Sequence, residues 1–350
     1  MEWPVSDNLF KKVLAFTDIH WGEDGNSPEH NDLCQEFIEW AVDEAKTRGC
    51  DLIIFGGDWH HSQVGVASAT LWKSYLGCKY LNECGIPVVF IIGNHDLMYK
   101  DKRDIHSLPW LDDMENITVI NEPTTIGNVT LVPWLVSGDD YKTIASKPAK
   151  YAFGHFQLPG FLMNEKYAYP DKEGILKSED MDQLEYVFSG HFHARQKRVL
   201  KSGTEIHYIG NCFPHDFNDE GDKDRGAMVL EWDGTPEYIN WPDAPFYKYM
   251  KVSDFVEAAD QFSERDHIRL TQDVEMDNNE RSELRESVFE QFGIKHLSIE
   301  PKKPVEAEID PELTGEQVEN VEMFTHDWIL ENKGDRGPRM VEIFVDAKVE

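Results

Sequence analysis

One pattern recurs five times in this chain and constrains its fold more than any other. A short apolar run stops at once on residues able to hold a metal. Residues 13–17 precede Asp18 and His20, 52–57 precede Asp58, and 88–93 precede Asn94, His95 and Asp96. Residues 151–154 precede His155, and 186–190 precede His191 and His193. Short apolar runs bounded by glycine and polar residues read as buried strands. Between the first three runs lie two stretches with helical spacing. Leu33, Phe37, Trp40, Ala41 and Ala45 mark one over 29–48, and the other covers 66–84 and stops at Gly85. This βαβαβ rhythm implies a parallel sheet covered on both faces. In such sheets ligands gather at the carboxyl ends of the strands.

Later apolar runs, at 117–120, 129–132, 151–153, 186–189, 206–209 and 227–232, are short and close together. They predict a second sheet with hairpins, packed on the first. The composition changes near Trp241-Pro242-Asp243-Ala244-Pro245. Beyond it the spacing predicts a small module: strand 246–252, helix 254–262 opened by a capping box at Asp254 and Glu257, strand 267–270, helix 279–292 ending at Gly293, and strand 295–299. Pro301, Pro304 and Pro311 then mark a linker. Residues 305–331 hold nine acidic residues and no Lys or Arg. Within them Thr314 and Gln317 make a capping box, and Val318, Val321, Phe324 and Trp328 form one helical stripe.

Charge bounds the partners. With 66 Asp+Glu against 34 Lys+Arg the chain carries a net charge of −32. Such a body is neither a generic nucleic-acid coat nor a polybasic membrane binder. The last 100 residues hold 26 acids and 12 bases, so the acid is densest away from the five clusters. No run approaches the roughly 18 apolar residues of a membrane span, and the start, MEWPVSDNLFKK, lacks a signal-peptide core. Five cysteines without a CxxC pair fit reduced thiols in a cytoplasm.

The clustered residue types suit two divalent transition ions. Imidazole serves Mn, Fe, Zn or Ni, and carboxylate or carboxamide oxygen suits Mn and harder ions. One carboxylate can bridge two metals about 3.5–4 Å apart, and such a pair can clamp a phosphate ester. Gly57, Gly93, Gly154 and Gly190 would let the chain turn beside bulky ligands. Trp21, Trp59 and Trp134 lie near the clusters, where packing is favoured over stacking on bases. His30, His106, His207, His215, His267, His296 and His326 have no comparable context and read as surface or core residues.

These segments resemble the calcineurin-like metallophosphoesterase superfamily. Within it the chain is similar to the SbcD-type nuclease subunit of DNA double-strand-break repair complexes, including the recombination nuclease subunits of tailed phages. Asp58-Trp-His-His61 and Asn94-His95-Asp96 depart from the Asp-Arg and Asn-His-Glu of phosphatase relatives. His61, three residues after Asp58, holds a nuclease-branch place, and the module after Trp241 resembles the DNA-capping domain. The resemblance implies an α/β metallophosphoesterase-type two-sheet sandwich flanked by helices over 1–240. A small α+β capping domain over 241–300 and a helical tail over 301–350 follow.

It also implies the site. One metal would be held by Asp18, His20, Asp58 and His193, and the other by Asp58, Asn94, His155 and His191. His95 would serve as general acid, oriented by Asp96, and His61 would contact the phosphate or DNA, with His60 its rival. The implied activity is a manganese-dependent DNA exonuclease and endonuclease. The implied assembly is a homodimer joined to two SbcC-type ABC ATPase subunits. For Val318, Val321, Phe324 and Trp328 two readings stand, docking on the chain's own body and binding the ATPase coiled coil. Two also stand for Lys100, Lys102, Arg103, Arg195, Lys197, Arg198, Lys201 and Arg225, namely ordinary solubility and contact with the DNA backbone. The competing functions are a phosphodiesterase for small esters and a recruiting subunit with a vestigial site. The His61 position and the added module oppose the first, and the intact ligand set opposes the second.

Overall fold

The computed structural model describes residues 8–62, 64–140, 144, 149–163, 167–171 and 176–301. The chain divides into Met1–Glu300 and Pro301–Glu350. The stripe of Val318, Val321, Phe324 and Trp328 and the box at Thr314 and Gln317 lie outside the described residues.

The chain opens with β1 (Lys12–Phe16), α1 (Pro28–Thr47), β2 (Leu52–Phe55), α2 (Ser68–Glu83) and β3 (Val88–Ile91). Ser27 caps α1 by accepting the His30 amide, and Pro28 fills its first turn. A hairpin of β4 (Leu97–Tyr99) and β5 (Lys102–His106) leads to β6 (Ile117–Ile120), β7 (Thr124–Ile126) and β8 (Val129–Val132). Next come β9 (Tyr151–His155), β10 (Tyr186–Gly190), β11 (Gln196–Val199), β12 (Glu205–Tyr208), β13 (Gly226–Glu231) and β14 (Glu237–Asn240).

Two six-stranded sheets result, in the orders β14-β13-β1-β2-β3-β6 and β11-β12-β10-β9-β8-β7. Alternation along β1 sorts the core. Val13 and Ala15 face the second sheet, meeting Phe153 and Phe188, while Leu14 and Phe16 face Phe37, Ile38 and Ala41 of α1. A third cluster, with Ala152, Val187 and Ile206, covers the far face of the second sheet. Both faces of each sheet are thus buried, so the strands read as unbroken apolar runs. Each such large side chain contributes roughly 1.5–3 kcal/mol on burial.

The sheet assignment differs from expectation in two places. Residues 117–120 and 226–231 extend the first sheet: β6 runs parallel to β3 and β13 antiparallel to β1. An apolar run specifies a strand but not its neighbour. The second sheet is also mainly parallel through β8, β9, β10 and β12, with antiparallel pairs only at β7–β8 and β11–β12.

The last elements are β15 (Tyr247–Lys251), α3 (Val252–Ala258), β16 (His267–Thr271), α4 (Asn278–Phe292) and β17 (His296–Glu300). They form a three-stranded parallel sheet with its own core of Phe255, Leu270 and Val288. The box expected at Asp254 and Glu257 does not form, because α3 starts two residues earlier. Asp273, from beyond β16, accepts the Ser253 amide instead (3.1 Å). A capping box does open α4, where Asp277 and Glu280 exchange bonds, and Gly293 ends it with φ 74°. All five cysteines are unpaired. Among the described residues no helix is long and apolar enough to cross a membrane.

Candidate metal centre

The parallel strands β1, β2, β3, β9 and β10 all end on one edge, and their following loops interlock. The Asp18 amide donates to Gly57 O (2.9 Å), His20 to Asp58 O (3.3 Å) and Trp21 to Trp59 O (2.7 Å), so the first two loops run side by side past the sheet. Asp18, His20, Asp58 and His191 take left-handed φ values of 54°, 52°, 60° and 90°. Each such residue costs about 1–3 kcal/mol, a strain that collects at functional sites. Of Gly57, Gly93, Gly154 and Gly190 only Gly57 has positive φ (105°). Gly93 answers a different need, since a Cβ there would stand 2.2 Å from Asp58 Oδ1. The sharp turns expected of the glycines fall largely on the polar residues themselves.

Two donor groups face each other. Asp18, His20 and His193 form one, and Asp58, His155 and His191 the other; within each, the donor atoms lie within 4.8 Å of one another. Asp58 stands between them, with Oδ2 3.8 Å from His20 Nε2 and 3.1 Å from His155 Nε2. Asn94 Oδ1 joins the second group, 3.2 Å from His155 Nε2 and 2.9 Å from His191 Nδ1. His155 Nδ1 meets the Gly56 carbonyl (2.9 Å), which only accepts, so Nε2 is the free donor atom. The amides of His191 and His95 hold Asp18 (3.1 Å) and Asp58 (2.8 Å) in place.

The electrostatics match a cation site. Burial opposes the charge on Asp58, but the imidazoles of His155, His95 and His20 outweigh it and hold the carboxyl well below its usual range. Burial, aided by His155, pushes His191 down to about 3, leaving a neutral ring. His20 is buried, yet neither ring nitrogen has a hydrogen-bond partner in the protein. An orphaned imidazole between two carboxylates fits a divalent ion, as does the mixed N and O donor set.

The other expected catalytic residues divide. Asp96 does not orient His95. Its buried carboxylate accepts four amides instead: Gly93 (2.9 Å), Asp58 (3.0 Å), Trp59 (2.8 Å) and His60 (3.2 Å). The turn after Asn94 sends the side chain back beneath the loop. Burial, then repulsion by Asp58, pushes this carboxyl up to about 7 against the pull of the amides. His95 Nδ1 lies against the His61 carbonyl, and its ring is 5.0 Å from that of His20. His61 faces the same space, 5.7 Å from both rings, with Nδ1 on the Glu23 carboxylate. His60 points inward, bonded to Ser107 Oγ (2.7 Å) and Ser74 Oγ (2.8 Å).

Most of the expected phosphate-binding cations have partners within the fold. Arg225 is buried against Asp219 (3.0 Å) and Asp222 (2.7 Å), which fits neither a solvent-exposed cation nor a contact with the DNA backbone. Arg103 binds Asp140 (2.6 Å) and the Trp134 carbonyl (2.9 Å). Arg195 reaches Asn240 and lies over Tyr238, Arg198 reaches Gly160 and lies over Phe161, and Lys197 pairs with Glu205 (2.6 Å). Lys100, Lys102 and Lys201 are exposed. Trp21 and Trp59 are core residues, while Trp134 packs beside His191 (5.2 Å).

Two site residues had no strong sequence signal. His215 is buried with its ring 5.4 Å from those of His20 and His193. Its only clue is that β12, a parallel neighbour of β10, ends on the same edge. Glu23 lines the cleft of about 450 Å³ over the centre, together with His61, His193 and His215.

The profile of the calcineurin-like phosphoesterase family matches residues 11–195, a stretch that contains every residue of both donor groups. Over 229 residues the chain is 26% identical to exonuclease subunit 1 of Enterobacteria phage T4, covering 63% of this chain. It spans 64% of that relative's length. Similar solved structures include a dimetal phosphatase from Danio rerio (10% identity, TM-score 0.39), over 63% of this chain and 92% of that one. Another is the nuclease MPE of Pseudomonas putida (16% identity, TM-score 0.32), over 63% and 84%. The chain belongs to the calcineurin-like phosphoesterase family.

Proposed function

We propose that this protein is a nuclease subunit that hydrolyses DNA phosphodiester bonds with two divalent ions, manganese being the ion that the family resemblance implies. The observation that carries the reading is Asp58, one carboxylate shared by two histidine-bearing groups. Asp18, His20, Asp58 and His193 would hold one ion, and Asp58, Asn94, His155 and His191 the other. When bound, the ions would supply Lewis-acid charge to the phosphoryl, attacking and leaving oxygens.

The chain's own residues do the rest. The His61 carbonyl only accepts, so His95 carries a proton on Nδ1 and turns Nε2 toward the substrate. Protonated there as well, it gives that proton to the leaving oxygen. His61, whose ring lies 5.7 Å from those of both His20 and His95, contacts the phosphate. Exposed Lys100, Lys102 and Lys201 are the cations left for the DNA backbone. The name of the phage relative, a numbered subunit, supports a partner, for which we propose an SbcC-type ABC ATPase in an assembly with two copies of this chain.

One observation favours a second reading, hydrolysis of small phosphate esters. Glu23, Asp216, Glu220 and Asp222 line the cleft and would repel a polyanion. Incubation with manganese and end-labelled linear duplex DNA, with and without the ATPase, separates the two. Shortened duplex is expected, and Asp58→Asn should lose it by at least about a thousandfold while keeping its fold. Cleavage of bis(p-nitrophenyl) phosphate with untouched DNA in both arms would overturn the nuclease reading.

A further inference from the structure

Glu23 sits beside the centre without belonging to either donor group. The chain places it there by several bonds. Trp21 and His60 form an isolated parallel bridge, and the His61 amide donates to Trp21 O (2.9 Å). Gly22, at φ 89°, then turns the chain, its amide held by Asn31 Oδ1 (3.0 Å), and the Glu23 amide donates to His20 O (3.1 Å). Glu23 and His61 are thereby fixed on either side of one bridge, with the Glu23 carboxylate on His61 Nδ1. The Glu23 side chain is 19% exposed and that of His61 40%. His61 Nδ1 is itself shielded from solvent and makes no hydrogen bond elsewhere among the described residues, so the Glu23 carboxylate is its ion-pair contact, and both residues line the cleft.

We infer that Glu23 is the positioning residue for His61. A carboxylate only accepts, so it holds a proton on Nδ1 and one ring orientation, and leaves Nε2, when it too carries a proton, as the nitrogen that donates to a phosphate oxygen. A histidine on a loop would otherwise flip between two ring orientations and two tautomers. This inference rests on the phosphodiesterase reading above for its catalytic consequence, but not for its geometry.

The test compares wild type, Glu23→Ala, Glu23→Gln, His61→Ala and the Glu23→Ala/His61→Ala double variant on bis(p-nitrophenyl) phosphate with manganese. Glu23→Ala should lower kcat about tenfold to a hundredfold with KM little changed, and Glu23→Gln, which keeps an acceptor, should retain most activity. The double variant should match His61→Ala, because Glu23 acts through that ring. Wild-type kcat in Glu23→Ala, or an equal further loss on top of His61→Ala, would overturn the inference. An inactive wild type would instead overturn the phosphodiesterase reading. Long-range 15N spectra of the metal-free protein then test Glu23 alone. A single Nδ1–H tautomer of His61 in wild type, mixed in Glu23→Ala, supports it, and a mixture already in wild type refutes it.

Discussion

Four backbone amides converge on the Asp96 carboxylate, and three of them, those of Asp58, Trp59 and His60, belong to a different loop. Asp96 therefore ties the second ligand loop to the third. Removing it would leave several buried N–H groups without an acceptor, each costing about 1–3 kcal/mol. Asp96→Ala should destabilise the metal-free protein by about 3 kcal/mol or more in urea unfolding. If the residue acted only by orienting His95, kcat would fall and the unfolding curve would stay in place. The donor residues were legible in the sequence because imidazole and carboxylate announce their chemistry. The partner of Asp96 was not, because the direction of a side chain in a tight turn depends on backbone angles that residue types leave open. The same holds for His60 and His61, adjacent in sequence and turned to opposite sides of their loop.

Among the elements, those of the terminal module were the most legible, with strands and helices divided by Gly293 and polar caps. Edge strands such as β5, β11 and β14 escaped notice because they carry charge rather than an apolar run, as unpaired edges do. Register was equally hidden. The pairing of β15, β16 and β17 lines up Tyr247, His267 and His296, whose rings stack at 4.3 and 4.0 Å. His296 then reaches Glu29 of α1 (3.1 Å), joining the module to the first sheet's helical layer. Burial first, and His296 second, hold His267 down to about 4, against about 6.5 for a free histidine. The fold thus favours the neutral ring. Its contribution is complete above pH 6.5 or so and drains away toward pH 4, reaching up to about 2 kcal/mol of lost stability at pH 5. His267→Phe keeps a stacking ring without the proton site. In urea unfolding of the metal-free protein, the variant should gain on wild type as pH falls from 7 to 5. A difference that stays constant with pH would refute this account.

At the scale of the molecule, the strand ends predicted the site better than the runs predicted the sheets. The five ligand clusters fall on one edge because their strands are parallel, whichever sheet each joins. The net charge of −32 acts at this scale too. The buried carboxylates of Asp18 and Asp58 and the orphaned His20 imidazole come together only in the fold, so cations bound there stabilise it against the unfolded chain. Manganese at a hundred times its dissociation constant should raise the unfolding free energy by about 2.7 kcal/mol for one site, and Asp58→Asn should lose most of that gain. Coincident urea curves with manganese and with chelator would contradict it. The bond from the His191 amide to Asp18 spans 173 residues (3.1 Å). Each donor group takes its last member, His191 or His193, from the loop after β10. A ribosome must therefore pass that loop before either group is whole, so a nascent chain stalled before it carries no finished centre.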